Sequence, residues 1–119
     1  MKSRSDKILL FDIVECCERI ANYIAGVSRE AFDENHLLQD ALIRKLEVIG
    51  EATKGLSAGV TDANPEIPWR QIAGMRDRMV HQYFRVDLDI VWQTVTSEIP
   101  KLHLQIGPLY ETFSANEHE

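Results

Sequence analysis

The residues with the greatest capacity for chemistry lie close together, between positions 76 and 83 of the chain. Arg76 is always charged and offers a planar fork that fits phosphate oxygens, so it could hold a phosphodiester and stabilise charge in the transition state. An imidazole has an ordinary pKa near ~6.5, so His81 could take a proton from a ribose 2′-hydroxyl or give one to the leaving oxygen. Because RNA brings that hydroxyl as its own nucleophile, such cleavage would need no metal. An arginine and a histidine at this spacing also occur often by chance, and Arg78 fits a surface ion pair equally well, so the spacing by itself leaves both interpretations open.

Basic charge is concentrated around these residues. Positions 69–85 hold four arginines and one acid, so four positive charges less one give about +3 in a chain whose net charge is -6. The overall negative charge argues against a protein that coats nucleic acid by bulk electrostatics. It is compatible with a local basic cleft, to which the arginines of this stretch would contribute: Arg70, Arg76, Arg78 and Arg85.

The spacing of the candidate residues limits how one chain can use them. In a regular helix, positions five apart differ by roughly 140° and positions two apart by roughly 200°, so Arg76, His81 and Tyr83 cannot share one face. Either the helix ends near His81 or the site forms between two chains. General acid–base cleavage also needs two proton-transfer groups, and a two-fold axis would supply a second copy of His81.

Hydrophobic periodicity and the positions of glycine and proline divide the chain into helices. Ser5 or Asp6 caps the first helix, Gly26 ends it, and Asp87 caps the last. Pro100 lies inside the last helix and should kink or split it. The predicted elements are a helix over about 5–25, a helical turn at 30–33, a helix over about 38–56, a main loop at 57–68, a helix from Trp69 to about His81, and a last helix from 88, with a frayed tail beyond Thr112.

Four amphipathic helices with short connections predict an all-α, up-and-down four- to five-helix bundle. We expect a single domain over residues 1–119, with an ordered core of about 5–112, because 119 residues with 45% hydrophobic content suit one core. The long apolar seam of the last helix exceeds what the short third helix covers. That excess, like the single catalytic histidine, predicts a homodimer.

The sequence argues against several other classes of protein. It contains no run of 18 apolar residues and no apolar leader at its start, so we expect a cytoplasmic protein without a membrane span. Cys16 and Cys17 are neighbours on one helix and read as small core residues rather than as a disulfide or a redox pair. The histidines at positions 36, 103 and 118 show no convergent ligand spacing, so no metal or cofactor is expected.

The motif R-x4-H-x-Y, formed by Arg76, His81 and Tyr83, lies in a longer stretch that resembles the HEPN superfamily and, within it, the HepT-like toxins. The resemblance continues through residues 67–77 and 91–92 and through the second helix, residues 38–52. It covers roughly residues 5–110. Together these segments are specific, although the bare motif is not.

The resemblance implies a homodimeric helical bundle that cleaves RNA, such as tRNA or mRNA, in a cleft on the dimer axis. It also implies the toxin of a type VII-like toxin–antitoxin pair, whose antitoxin is a small MNT-type nucleotidyltransferase. That partner would use ATP to transfer AMP onto Tyr83. The added phosphate would bring negative charge and bulk into the cleft that must receive an RNA phosphate, and so block it.

Several further residues could assist. Arg78, Tyr83 and Arg85 are candidates for auxiliary phosphate contacts, and Arg85 stands where many relatives have a small residue, so it either adds a contact or crowds the site. Candidates for orienting Arg76 and His81 lie on the second helix, where the alternative is a solvated face with surface ion pairs. These orienting candidates are Arg44, Glu47 and Glu51.

Two alternatives stay open from the sequence. Trp69 and Trp92 fit core or interface anchors better than base-stacking platforms. The competing interpretation of the whole chain is a non-catalytic helical module that binds a nucleotidyltransferase partner through the basic segment.

Overall fold

Eight α-helices and one π-helical turn follow one another through the residues that this computed structural model describes, 5–80 and 85–116. In chain order they are α1 (Asp6–Ile24), α2 (Arg29–Glu34), α3 (His36–Lys54), α4 (Ala58–Ala63), α5 (Trp69–Ala73), α6 (Met75–Met79), α7 (Leu88–Gln93), the π turn (Thr94–Glu98) and α8 (Ile99–Asn116). Within those residues the fold is all-α, as predicted. No helix there is both long and apolar enough to cross a membrane.

Three long helical stretches form the core. The helix α1 packs against α3 on one side and against α8 on the other. Each contributes an apolar stripe at intervals of three or four residues, and fully burying one large apolar side chain contributes roughly 1.5–3 kcal/mol. The buried side chains include Leu10, Ile13 and Ile20 of α1, Leu42, Leu46 and Ile49 of α3, and Ile99, Leu102 and Ile106 of α8. The bundle is therefore the predicted one, and the homodimer stays a prediction.

The predicted ends of the first helix and the predicted start of the last helix are confirmed. The Ser5 hydroxyl accepts a hydrogen bond from the Ile8 amide, and Gly26 follows α1 with a φ of 72° that side chains rarely adopt. At the start of α7 the Asp87 carboxylate accepts from the amides of Asp89 and Ile90 at 3.0 and 3.2 Å. Local capping chemistry thus fixes where these helices begin and end.

Three elements differ from the sequence-based prediction. The third helix is divided at Gly74 into α5 and α6, and α6 ends at Met79 rather than at about residue 81. The predicted loop at 57–68 contains the short helix α4, of which only Val60 is buried. The last helix continues to Asn116 instead of fraying beyond Thr112, because Phe113 still packs against the core.

The predicted disturbance at Pro100 takes the form of a π turn. The amide of Ile99 donates to the carbonyl of Thr94, five residues back, where an α-helix would use the residue four back. Pro100 has no amide hydrogen to donate, and its ring would crowd the carbonyl of Thr96 in a regular helix. The wider turn just before the proline relieves that conflict, and the helix continues as α8.

The two cysteines are core residues, as predicted. Cys16 and Cys17 are 4% and 1% exposed. Burial, together with the neighbouring Cys16 and Glu18, raises the pKa of the Cys17 thiol to about 12. Because the thiolate is the reactive form, these side chains act as small neutral apolar groups at neutral pH.

Candidate functional site

The short helix α6 carries the two arginines that the sequence singles out. Met75 and Met79 are four residues apart, are 1% exposed each, and anchor this helix to the core. Arg76 and Arg78 lie between these anchors and are two positions apart, roughly 200° around the helix. Consequently the arginines leave α6 in different directions, one towards α3 and the other towards the π turn.

Arg76 reaches the side of α3. Its Nε donates to Glu47 Oε2 at 3.3 Å, and the arginine and glutamate side chains are 56% and 31% exposed. Nε is the atom that makes this contact, and more than half of the arginine side chain is exposed. Glu47 is thus the candidate that contacts Arg76, its orienting role stays a prediction, and an exposed arginine can receive a phosphate.

A close approach between α3 and α5 brings Glu47 and Arg76 together. A Cβ atom added at Gly50 would lie 3.5 Å from the carbonyl oxygens of Ile72 and Ala73 at the end of α5. A methyl group fits there in ordinary contact, but a longer side chain would separate the two helices. Gly50 thus allows the end of α5, and the helix α6 that follows it, to lie against α3.

Arg78 makes a more complete ion pair on the other side of α6. Its Nη1 and Nη2 donate to the two carboxylate oxygens of Glu98 at 3.2 and 2.9 Å, and both side chains are only about one-third exposed, at 33% and 35%. Glu98 is a residue that the sequence prediction missed. The one signal in the sequence was Pro100, because the π turn that it favours ends at Glu98.

The segment that follows α6 is closed at its base by backbone pairing. Val80 leaves the helix in an extended conformation and forms an antiparallel bridge with Val86, and the Asp87 amide donates to the Met79 carbonyl at 2.7 Å. We call Met79, Val80, Val86 and Asp87 the stem. Of the two geometric alternatives set out from the sequence, the first holds for this chain: the helix ends before residue 81.

Two residues of the motif fall between the two described ranges, and Arg85 begins the second range. His81 and Tyr83, predicted as catalytic residue and modification target, lie outside the described residues. Arg85 is exposed and directly precedes the stem residue Val86. Exposed cationic groups therefore stand both before and after the stem, at Arg76 and Arg85.

The other predicted residues of α3 face a different neighbour. Arg44 and Glu51 line a groove between α1 and α3 together with Asp12. The Glu51 carboxylate accepts from Lys54 Nζ at 3.4 Å. Among the three orienting candidates, it is Glu47 that the structure brings to Arg76.

The tryptophans pack in the manner of core anchors. Trp69 is partly buried against the core, and its indole Nε1 donates to the Asn64 carbonyl at 2.9 Å. The Trp92 ring lies on Phe32, with ring centroids 4.9 Å apart. Both side chains stabilise the segments that flank the candidate site.

The histidine, cysteine and acidic side chains of the described residues are spread over the bundle. In residues 5–80 and 85–116, no three His, Cys, Asp or Glu side chains come together as a metal-binding group. The His103 Nε2 atom lies 3.6 Å from a carboxylate oxygen of Glu18, and His36 is exposed.

Comparison with known proteins identifies the family. The model of the family described as ribonuclease HepT-like matches residues 13–109. The chain is 43% identical over 99 residues to the probable ribonuclease HepT of Thermococcus cleftensis, which covers 83% of this chain and 90% of that protein. No solved structure matches the chain significantly.

Two further relatives carry RNase names that mark the activity as provisional. RNase TTE0752 of Caldanaerobacter subterraneus subsp. tengcongensis is 40% identical over 99 residues, 83% of this chain and 88% of the relative. RNase MJ1216 of Methanocaldococcus jannaschii is 41% identical over 102 residues, 86% of this chain and 84% of the relative. These matches confirm the family that the motif and its flanking segments predicted.

Proposed function

The chain belongs to the HepT-like ribonuclease family, and on that premise we propose that it is a metal-independent endoribonuclease centred on Arg76 and His81. The observation that carries the proposal is the state of Arg76. Its side chain is 56% exposed, its Nε donates to Glu47, and it lies one helical turn before the stem from which the chain continues to residue 81. An arginine held in this way can bind a phosphate through its other donors while Nε keeps its bond to Glu47.

The proposed chemistry is an in-line transfer within the RNA. The ribose 2′-oxygen attacks the adjacent phosphorus, the bond from phosphorus to the 5′-oxygen breaks, and a cyclic phosphate and a 5′-hydroxyl result. One imidazole removes the 2′-proton, and an imidazolium gives a proton to the departing oxygen. Arg76 stabilises the charge that gathers on the phosphoryl oxygens.

A homodimer supplies what one chain lacks. Each chain has a single histidine in the motif, whereas the transfer needs a base and an acid at the same time. Two copies of His81 across a two-fold axis would provide both. The exposed Arg85 beside the stem is proposed to contact a flanking phosphate of the bound strand.

Regulation is proposed to act on Tyr83. An MNT-type nucleotidyltransferase antitoxin would join the tyrosine oxygen to the α-phosphorus of ATP and release pyrophosphate. The added phosphate places negative charge two residues from His81, where the RNA phosphate must enter. The chain would then be the toxin of a type VII-like pair, acting on tRNA or mRNA.

The decisive experiment is RNA cleavage by the purified protein in the presence of EDTA. Wild type is expected to cleave, and His81→Ala is expected to abolish cleavage while its far-UV circular dichroism and its mass in solution stay those of wild type. Equal cleavage by His81→Ala would contradict the assignment. If no RNA is cut but Arg76→Ala and His81→Ala weaken the complex with the nucleotidyltransferase, the non-catalytic module is the correct interpretation.

A further inference from the structure

The pair formed by Arg78 and Glu98 is arranged as a structural connection. Both terminal nitrogens of the guanidinium are bound by one carboxylate, and Arg78 Nε is buried and finds no acceptor in the described parts of the chain. For this arginine to present its fork to a phosphate, both bonds to Glu98 would have to break. Bidentate pairs of this kind fix orientation as well as distance.

The π turn brings Glu98 to this position. Its closing bond, from the Ile99 amide to the Thr94 carbonyl, inserts one residue more than an α-helical turn holds. Every residue after the insertion is therefore rotated about the helix axis relative to the α-helical course. Side-chain bonds support the neighbouring turns, since the hydroxyls of Thr94 and Thr96 each donate at 2.7 Å to the carbonyl four residues back.

The pair also lies directly beside the stem. Arg78 immediately precedes Met79, whose carbonyl accepts from Asp87, and Val80 bridges to Val86. The π turn belongs to the same continuous helical stretch that begins just after Asp87. The ion pair therefore closes a ring: stem, α7, π turn, Glu98, Arg78 and back to the stem.

We propose that Glu98 is a positioning residue, which holds Arg78 and through it the stem that carries the segment 81–84. The proposal rests on the proposed ribonuclease function and assigns Arg78 to the scaffold of the site rather than to the substrate. Glu98 sets the place from which the motif histidine continues. Neither residue contacts the RNA in this arrangement.

The kinetic test uses Glu98→Ala, Arg78→Ala and the double variant. Because misplacing a catalytic group by about 1 Å can lower a rate on the order of 100-fold, each single variant is expected to reduce kcat about 10- to 100-fold with KM within about two-fold. The double variant should be no slower than the slower single variant, since both break one connection. Glu98→Gln, which keeps the shape but not the charge, should recover part of the rate.

If Arg78 were instead a phosphate ligand, removing Glu98 would have the opposite effect on RNA binding and cleavage. Removing Glu98 would then free the guanidinium, so Glu98→Ala would bind RNA as well as wild type or more tightly, with kcat retained. Arg78→Ala would raise KM and weaken the dependence of KM on salt concentration. That pair of results would overturn the proposal.

A second readout does not depend on activity. Amide hydrogen exchange in the peptide covering residues 79–87 is expected to become faster in Glu98→Ala and in Arg78→Ala by similar factors. It is expected to stay unchanged in the control Arg19→Ala, whose side chain pairs with Glu15 within α1. If wild type fails to cut RNA, the ribonuclease proposal fails while this measurement still decides the positioning role. Unchanged exchange in both variants would refute the positioning role even in an active enzyme.

Discussion

The two arginines on opposite sides of α6 have different surroundings. Within the described residues, Arg76 makes one hydrogen bond, through Nε, to a carboxylate of α3, and more than half of its side chain is exposed. Arg78 makes two, through its terminal nitrogens, to a carboxylate of the π turn, and two-thirds of its side chain is covered. The same residue type on one short helix is thus left available on one side and committed to the fold on the other.

The two arginines carry the same charge but differ in exposure and in their number of hydrogen bonds, and so in what they can do. An ion pair with one hydrogen bond and a largely exposed arginine contributes only about 0–1 kcal/mol to stability, so Arg76 can bind a phosphate with little effect on the fold. The Arg78 pair is costlier to open, because two hydrogen bonds would be lost and the arginine side chain is two-thirds covered. Arg76 can therefore bind the RNA phosphate, whereas Arg78 holds the fold around the site in place.

The largest expected effect is on cleavage by Arg76→Ala. Losing the charge that stabilises the transition state should lower kcat on the order of 100- to 1,000-fold. The free energy of unfolding should change by less than about 1 kcal/mol, because the arginine side chain is more than half exposed and one hydrogen bond is lost. Single-turnover cleavage and urea unfolding measure the two quantities, and a variant that unfolds more readily but cuts RNA normally would break the contrast between the two arginines.

The next largest effect is expected in Arg78→Ala, which makes the same change as Arg76→Ala two residues further along α6 and should lower the stability of the fold. The free energy of unfolding is expected to fall by about 1–3 kcal/mol, because Glu98 is left partly buried without its donors. Urea unfolding monitored by circular dichroism gives the value, with Arg76→Ala as the control. Equal stabilities for the two variants would show that the covered pair is no stronger than the exposed one.

Much of this architecture follows from local patterns in the sequence. The helix caps at Ser5 and Asp87 and the apolar stripes of α1 and α3 depend on neighbours within four residues, and they were predicted. Glu47 was among the candidates for orienting the site, with a solvated helix face as the alternative; the structure shows its contact with Arg76, and the orienting role stays a prediction. The short helix α4 was missed because it has one buried residue and so no periodicity to detect.

The partner of Arg78 could not be found in the same way. Glu98 lies 20 residues from Arg78, and its direction depends on a π turn whose register changes the periodicity that predictions use. Pro100 predicts a disturbance of the helix, but a kink, a break and a wide turn would each accommodate a residue that has no amide hydrogen. Which of them occurs is decided by the packing of α7 and α8 against the rest of the bundle.

The smallest expected effect is that of Glu47→Gln, which keeps the shape of the side chain and removes its charge. If Glu47 only orients an exposed guanidinium, kcat should fall by at most about five-fold, the equivalent of the ~1 kcal/mol that such pairs can contribute. The difference from wild type should shrink as salt is raised towards about 1 M, because the Debye length there is about 3 Å and comparable with the 3.3 Å between Arg76 Nε and Glu47 Oε2. Cleavage rates across a salt series measure it.

Arg19→Gln provides the matched control, because Arg19 pairs with the exposed carboxylate of Glu15 within α1. Its cleavage rate should equal that of wild type at every salt concentration. A loss well above 10-fold in Glu47→Gln, constant across the salt series, would mean that Glu47 itself takes part in proton transfer. The exposed side of α6 would then be as fixed as the covered side, because a group that moves protons must stay where it is while RNA binds.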